Sequence, residues 1–293
     1  MNGKAISFRT YREDDYEAVC QFLIALNQTD RRHIHWNWAR FEWMYEHPEC
    51  DKSLLGSIGL WLDGARIVGA AIYDLYFGEA FCGALPEYAA LYPEILDYAW
   101  GTLRDEAGLG IAICEGSEAE EAAAEAAGFA RTDRSETVMA IGLDRISPAP
   151  LPAGLHLTEP DPIRDGRALQ WLFWRGFDHG EDRAEFERAD SFLPRPRPHF
   201  NPRLGLAAAD GTGELQACCI LWYHPDTDYA YVEPVCTAPA WRGKGAAKAL
   251  LTEALCRART LGAKKAYVIS DQAFYRRLGF RTEFYFSFYQ RAK

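Results

Sequence analysis

The sequence predicts an α/β (α+β) protein made of two similar domains in tandem, each a mixed, mostly antiparallel twisted sheet flanked by helices. Three observations carry this. The chain has 293 residues, about two domains' worth of polypeptide. The segment Ser147-Pro148-Ala149-Pro150-Leu151-Pro152-Ala153-Gly154 can continue neither a helix nor a sheet, and reads as a linker. The stretches on either side of it begin and end alike. The expected division is a domain over 1–146, a Pro-rich linker over 147–154 and a second domain over 155–293.

Each half opens with a short strand-like run, Ile6-Ser7-Phe8-Arg9 and then Leu155-His156-Leu157-Thr158, followed by an acidic turn and an amphipathic stretch at 16–26 and 163–177. In the first half, 54–63 and 66–75 form a hairpin around Asp63-Gly64. A helix is expected over 93–103, and 115–127 reads as an acidic, alanine-rich helix with a solvated face. In the second half, 215–223 is apolar and β-branched or aromatic, His224-Pro225-Asp226-Thr227-Asp228 is a turn, and 229–237 is strand-like again. Ala247, Leu250, Leu251, Ala254, Leu255, Ala258 and Leu261 then recur at helical spacing, and Gly262 stops the helix. A strand over 264–270 follows. Both halves finish with a helix closed by Gly and then Phe, as Gly128-Phe129 and Gly279-Phe280, before a strand-rich end. This order of strands, helix, strand, short helix and strands is that of a mixed sheet with helices on its faces.

Composition narrows the function classes. With 48% hydrophobic and 25% charged residues, and no apolar run near the roughly 18 needed to span a bilayer, the chain reads as globular, with no membrane partner. Met-Asn-Gly-Lys leads into polar sequence without an apolar leader core, which gives the expectation of a cytoplasmic protein. The net charge of −10 disfavours nucleic acid. It is unevenly spread: residues 1–147 carry 12 basic against 25 acidic side chains, and residues 148–293 carry 20 against 17. Eight cysteines show no C-x-x-C spacing or nearby His pair, so neither a zinc site nor a disulfide framework is expected, and the expectation is no metal.

The run that carries chemistry extends from Tyr231 through Glu233, Pro234, Val235, Cys236 and Thr237 to Trp241-Arg242-Gly243-Lys244-Gly245-Ala246-Ala247-Lys248. Gly243 and Gly245 permit a tight turn with inward backbone N–H groups, and a helix starting near Ala246 adds the positive end of its dipole. Arg242, Lys244 and Lys248 add formal charge. Strand, glycine-basic loop and helix N-terminus together make a pyrophosphate cradle. It is neither a Walker loop nor a dinucleotide fingerprint, since G-x-x-x-x-G-K-[ST] and G-x-G-x-x-G are both absent. Pro234 cannot donate to a ladder, so pairing should break there in a strand that otherwise reads as central.

This run resembles motif A of the GNAT N-acetyltransferase superfamily, R/Q-x-x-G-x-G/A, matched by Arg242, Gly245 and Ala247, and Phe274-Tyr275-Arg276-Arg277-Leu278-Gly279-Phe280 resembles its motif B. The resemblance implies two tandem GNAT-like domains, a bulge in the strand holding Pro234, and a splay that opens a V-shaped slot. It implies acetyl-CoA as co-substrate, with the strand backbone at Val235, Cys236 and Thr237 along the pantetheine arm. Arg242, Gly243, Lys244, Gly245, Ala246, Ala247 and Lys248 would lie at the pyrophosphate, with Ser270 and Phe274 completing the cofactor contacts. Tyr275 stands where family members place a proton donor to the departing thiolate, a role suited to a phenol with pKa about 10; its other reading is a core tyrosine. Glu233 corresponds to a general base acting through water in some members, and otherwise to a salt-bridged or supporting carboxylate. It is expected to share strand parity with Val235 and Thr237. Cys236 lacks a partnered His, so a buried cysteine or a backbone contact is expected in place of an acyl-accepting thiol.

The first half departs from the pattern. Ala124 aligns opposite Tyr275 and no basic loop precedes the helix, so this copy reads as degenerate, retained for packing and for shaping an acceptor pocket. Tandem members with one decayed copy, mycothiol synthase among them, occur in the superfamily. Two aromatic clusters, Trp36, Trp38, Phe41, Trp43 and Tyr45, and the 192–202 loop with its four prolines, are either core packing or walls of that pocket. The expected function is direct acetyl transfer from acetyl-CoA to the amine of a small molecule or peptide. The alternatives are a non-catalytic acyl-CoA-binding scaffold and a specialised, mycothiol-synthase-like acyltransferase. A monomer with an internal pseudo-dimer and a homodimer both fit.

Overall fold

The structure is a computed structural model that describes residues 6–47, 49–189 and 198–293. Its strands are β1 (Ser7–Thr10), β2 (Gly59–Asp63), β3 (Arg66–Asp74), β4 (Tyr76–Ala84), β5 (Gly108–Cys114), β6 (Ala130–Gly142), β7 (His156–Thr158), β8 (Gly205–Ala209), β9 (Leu215–Tyr223), β10 (Tyr229–Thr237), β11 (Lys265–Ile269) and β12 (Arg281–Ala292). The α-helices are α1 (Tyr16–Thr29), α2 (Trp38–Glu46), α3 (Tyr92–Thr102), α4 (Glu118–Ala126), α5 (Gly166–Gly176), α6 (Arg183–Arg188), α7 (Ala246–Leu261) and α8 (Ala273–Leu278). No described helix is long and apolar enough to cross a membrane.

The chain forms two compact units that do not simply follow sequence order. The first gathers Met1–Val138 with Ile269–Asp271 and Thr282–Lys293, and the second Met139–Val268 with Gln272–Arg281.

In the first unit, β1 to β4 pair antiparallel in succession, β4 and β5 pair parallel, and β12 pairs antiparallel with β5 over Phe286–Ala292. The hairpin expected around Asp63-Gly64 is present, with Gly64 at φ +64°. Its first strand is shorter than expected because Lys52–Ser57 forms a 3₁₀ turn started by Asp51, whose carboxylate accepts from the Ser53 N–H. Trp36, Trp38 and Phe41 are at most 3% exposed, which puts them in the hydrophobic interior of this unit. The other expected aromatic wall falls partly on residues 192–197, which lie outside the described residues. Helix α4 is acidic, as expected, but it buries Ala124 completely, so its faces are not all solvated.

In the second unit, β7, β8, β9 and β10 pair antiparallel in that order, and β10 pairs parallel with β11. The period of two along these strands sorts side chains to two faces. Leu206, Ala208, Ala217, Cys219 and Leu221 share a core with Leu250, Leu251, Ala254, Leu255 and Ala258 of α7. Ala207, Ala209, Cys218 and Cys236 share another with Leu169 and Leu172 of α5. Each fully buried leucine contributes roughly 1.5–3 kcal/mol, so α7 and α5 clamp the sheet from opposite sides. Met139, Ile141 and Leu143 at the end of β6 complete the α7 core. The Pro-rich segment runs against α7: the Ala149 N–H donates to Thr252 Oγ1 at 2.9 Å, and Leu151 packs on the core. Gly262, at φ +122°, ends α7.

Candidate active site

Strand β10 is paired on both sides at its start and on one side at its end. Its parallel pairing with β11 covers Tyr229–Tyr231 against Lys265–Tyr267. Its antiparallel pairing with β9 runs on to Thr237, with a register change between Val232 and Val235, around Pro234. The break expected at the proline is therefore present, and beyond it β10 is splayed from β11.

The hydrogen-bond phase past this bulge can be counted. The Ala238 N–H donates to the Gln216 carbonyl at 2.8 Å. Antiparallel pairs alternate, so Cys236 turns its amide towards β9, while Val235 and Thr237 turn theirs to the unpaired side. The Thr237 carbonyl accepts from Arg242 Nε at 3.2 Å on that side, in agreement with the count.

After β10 the turn Pro239–Trp241 leads into Gly243 and Gly245, at φ +72° and +95°, and Gly245 caps α7. A β-carbon at either glycine would meet nothing within 4 Å. What these positions require is a left-handed backbone, which turns successive amides the same way. The N–H groups of Gly243, Gly245, Ala246, Ala247 and Lys248 have no backbone partner among the described residues.

Strand end, loop and helix N-terminus border a cleft of about 770 Å³. Of the residues anticipated from sequence, Val235, Cys236, Thr237, Arg242, Gly243, Gly245, Ala246, Ala247, Lys248, Phe274 and Tyr275 line it. Lys244, Ser270 and Glu233 do not line it. Lys244 lies 5.0 Å over the Trp241 ring, and the Ser270 N–H donates to the Thr137 carbonyl within the first unit. The Glu233 carboxylate accepts from Tyr231 Oη at 2.7 Å, and its carbonyl accepts from Trp222 Nε1 at 2.7 Å. The bulge interrupts the strand alternation, so the expected parity of Glu233 with Val235 and Thr237 does not hold.

Sequence reasoning missed one wall. Gly176, Phe177 and Asp178, at the end of α5, line the cleft together with Gln272, Arg277 and Leu278. Arg242 reaches that wall: its Nη2 donates to the Gly176 carbonyl at 2.9 Å and pairs with Asp178 Oδ1 at 2.8 Å. Its guanidinium thus ties the loop, β10 and α5 together, and its charge is already matched by a carboxylate. Lys248 and Arg277 also line the cleft and have no ion-pair partner among the described residues. The basic repeat Arg276-Arg277 was the one available signal for Arg277.

Tyr275, on α8, is 7% exposed and packs edge-on against Phe280. Burial pushes its phenol well above the ordinary tyrosine range, with Cys219 and the charge of Glu233 adding to the effect. It keeps its proton throughout the neutral range.

Residues 166–280 match the family model described as the Acetyltransferase (GNAT) family. Among solved structures, a GCN5-related N-acetyltransferase from Sphaerobacter thermophilus superimposes with TM-score 0.60 at 18% identity, covering 98% of this chain and 95% of that one. A tandem GNAT protein from the clavulanic acid biosynthesis pathway gives TM-score 0.60 at 17% identity, with 98% of both chains covered. A GNAT-family acetyltransferase from Colwellia psychrerythraea gives 0.55 at 13%, covering 99% of this chain and all of that one. No curated protein matches the chain. Residues 166–280 thus match the GNAT acetyltransferase family, and the chain shares its fold end to end with GNAT proteins, a tandem one among them.

Proposed function

We propose that the second unit is an acetyl-CoA-dependent N-acetyltransferase that transfers an acetyl group directly to the amine of a small molecule or peptide. The observation that carries this reading is the unpaired half of β10 ending beside a loop of partner-free amides. An extended, amide-bearing arm fits the first as an added strand, and a pyrophosphate fits the second. Val235 and Thr237 would hold the arm, and the amides from Gly243 to Lys248 the phosphates. Lys248 and Arg277 supply the uncompensated positive charge, while Arg242 holds the loop in shape.

Bound acetyl-CoA supplies an activated acetyl thioester. Within the protein, Tyr275 Oη holds a proton for the departing sulfur, and backbone N–H groups of the β10 end polarise a carbonyl oxygen. Glu233, off the cleft lining and held by Tyr231, would draw the amine proton through water. The first unit repeats the splay, since β4 and β5 pair only at Glu79–Ala80 and Gly110–Ile111. Leu85-Pro86 stands where a basic loop would follow, which supports reading this unit as a degenerate copy. A second reading, a non-catalytic acyl-CoA-binding protein, is favoured by the position of Glu233 alone.

Calorimetric titration with acetyl-CoA, followed by a free-thiol assay across amines, polyamines, aminoglycosides, amino acids and peptide N-termini, tests the proposal. Micromolar binding with thiol release for at least one acceptor class is expected. Binding without release across the panel favours the second reading, and absence of binding overturns both.

A further inference from the structure

We propose that Cys218 and Cys236 are an oxidation site built into the cleft wall: a peroxide entering the cleft closes them to a disulfide, and this disulfide and bound acetyl-CoA exclude one another. The coupling to acetyl-CoA rests on the function proposed above, whereas formation of the bond does not.

The two cysteines are direct partners across β9 and β10, and their sulfurs are 3.6 Å apart. They form a hydrogen-bonded antiparallel pair, for which Cα atoms lie about 5.5 Å apart, inside the range of roughly 4.4–6.8 Å found for disulfides. Both side chains point to the face covered by α5. Cys219, next in sequence, points to the opposite face. The pair is also unequal. Cys218 is fully buried, whereas Cys236 lines the cleft. Its hydrogen bond to Cys236, and then burial, hold the Cys218 thiol well above the ordinary cysteine range. Either sulfur can donate in the contact between them, and Cys236 is the member of the pair that lines the cleft a small oxidant enters.

In the first step the Cys236 sulfur attacks a peroxide oxygen. The O–O bond breaks, Cys236 becomes a sulfenic acid, and the expelled hydroxide takes up the thiol proton as water. Cys218 then attacks that sulfur, giving up its own proton. The S–S bond forms, the S–O bond breaks and a second water leaves. Two thiols lose two electrons in total and one peroxide is reduced to two waters.

Closure draws the sulfurs from 3.6 Å to about 2.05 Å. The Cys236 sulfur is not free to move alone. A β-carbon at Gly176 would lie 2.9 Å from it, so it is packed against the end of α5, which also carries the Arg242 contacts. Cys236 sits between Val235 and Thr237, the residues whose amides face the cleft. Displacing it shifts both and the α5 wall.

The full-length protein is treated with hydrogen peroxide, with and without saturating acetyl-CoA, then alkylated, digested and mapped by mass. A linked Cys218–Cys236 peptide, two hydrogens lighter, is expected, forming at least fivefold more slowly with acetyl-CoA present. The oxidised protein should bind acetyl-CoA at least tenfold more weakly, with recovery in dithiothreitol. Cys218→Ser should give no linked peptide, with the Cys236 sulfenic acid captured by dimedone. Dimedone capture in the wild-type protein, at short times, supplies the same evidence should that variant fail to fold. Absence of the linked peptide overturns the site. A linked peptide formed at an unchanged rate, with unchanged affinity, overturns the coupling. If the untreated protein binds no acetyl-CoA yet forms the linked peptide, the functional reading and the coupling fail and the oxidation site stands.

Discussion

The donor role proposed for Tyr275 rests on its surroundings. A phenol buried beside Cys219 and near the Glu233 carboxylate is hard to ionise, and Tyr275 lines the cleft. Replacing it with Phe keeps the ring, and with it the packing on Phe280, and removes the proton. Tyr275→Phe should lower kcat by roughly a hundredfold, within the span usual for a lost acid, while KM for acetyl-CoA stays within about twofold. Equal loss in both would make Tyr275 a packing residue. In the first unit, Glu136 illustrates how a single carboxylate carries pH dependence. It accepts from His35 Nε2 at 2.7 Å, with Arg134 Nη2 3.4 Å away and Arg40 near His35. The His35 hydrogen bond, against the opposing effect of burial, lowers the Glu136 carboxyl to about 2. A folded value below the unfolded one stabilises the fold above pH about 4.5, and this contribution is lost as pH falls towards 2. Burial holds His35 below its ordinary value as well, so acid must also force a charge onto it below pH about 6.5. Glu136→Gln should cost on the order of 2 kcal/mol at pH 7, allowing for partial solvent screening, and flatten the acid limb of an unfolding curve measured by circular dichroism from pH 7 to 3.

The loop and helix that begin at Gly243 are where sequence and structure agree most closely, for a local reason. Left-handed turns select glycine, and α7 is written in a 3.6-residue apolar period between two glycines, so the element is specified by its own residues. The same holds for β9 and β10, whose apolar runs are bounded by a Pro-Asp turn and whose ends match the expectation. What was not legible depends on distant partners. Arg242 looks like an anion ligand until its bond to Gly176, 66 residues away, is seen. The end of α5 carries no motif. The phase of Glu233 changes because one bulge shifts everything beyond it. Helix α2 was hidden by its aromatic richness, which reads as core packing or as a pocket wall without fixing a helix. For the loop itself the prediction is specific. Gly245 is at φ +95° with open space around it, so Gly245→Ala creates no clash and costs about 1–2 kcal/mol of backbone strain. Relief of that strain would turn the amides away, so acetyl-CoA affinity by calorimetry should fall at least tenfold, with a modest drop in Tm.

At the scale of the whole chain, the compact units and the linear order disagree, and this has a physical consequence for any attempt to isolate the second half. The Pro-rich segment at 147–154 is the natural place to cut. A fragment of residues 155–293 would lack Met139, Ile141 and Leu143, which belong to the α7 core. Removing three such side chains forfeits roughly 5–9 kcal/mol of burial, comparable to the whole stability of many domains. The same fragment would keep Phe286, Phe288 and Tyr289, which are at most 6% exposed in the intact chain, on a strand whose partner β5 has been left behind. It would therefore gain an unpaired, aromatic edge as it loses core. The expected outcome is a 155–293 fragment that aggregates or shows no cooperative thermal transition by scanning calorimetry. Fragments 1–146 and 147–293 expressed together should associate and recover a transition, since 147–293 supplies β12 and 1–146 supplies the end of β6. A monomeric 155–293 fragment melting cooperatively near the Tm of the intact chain would mean that the second half folds without those residues.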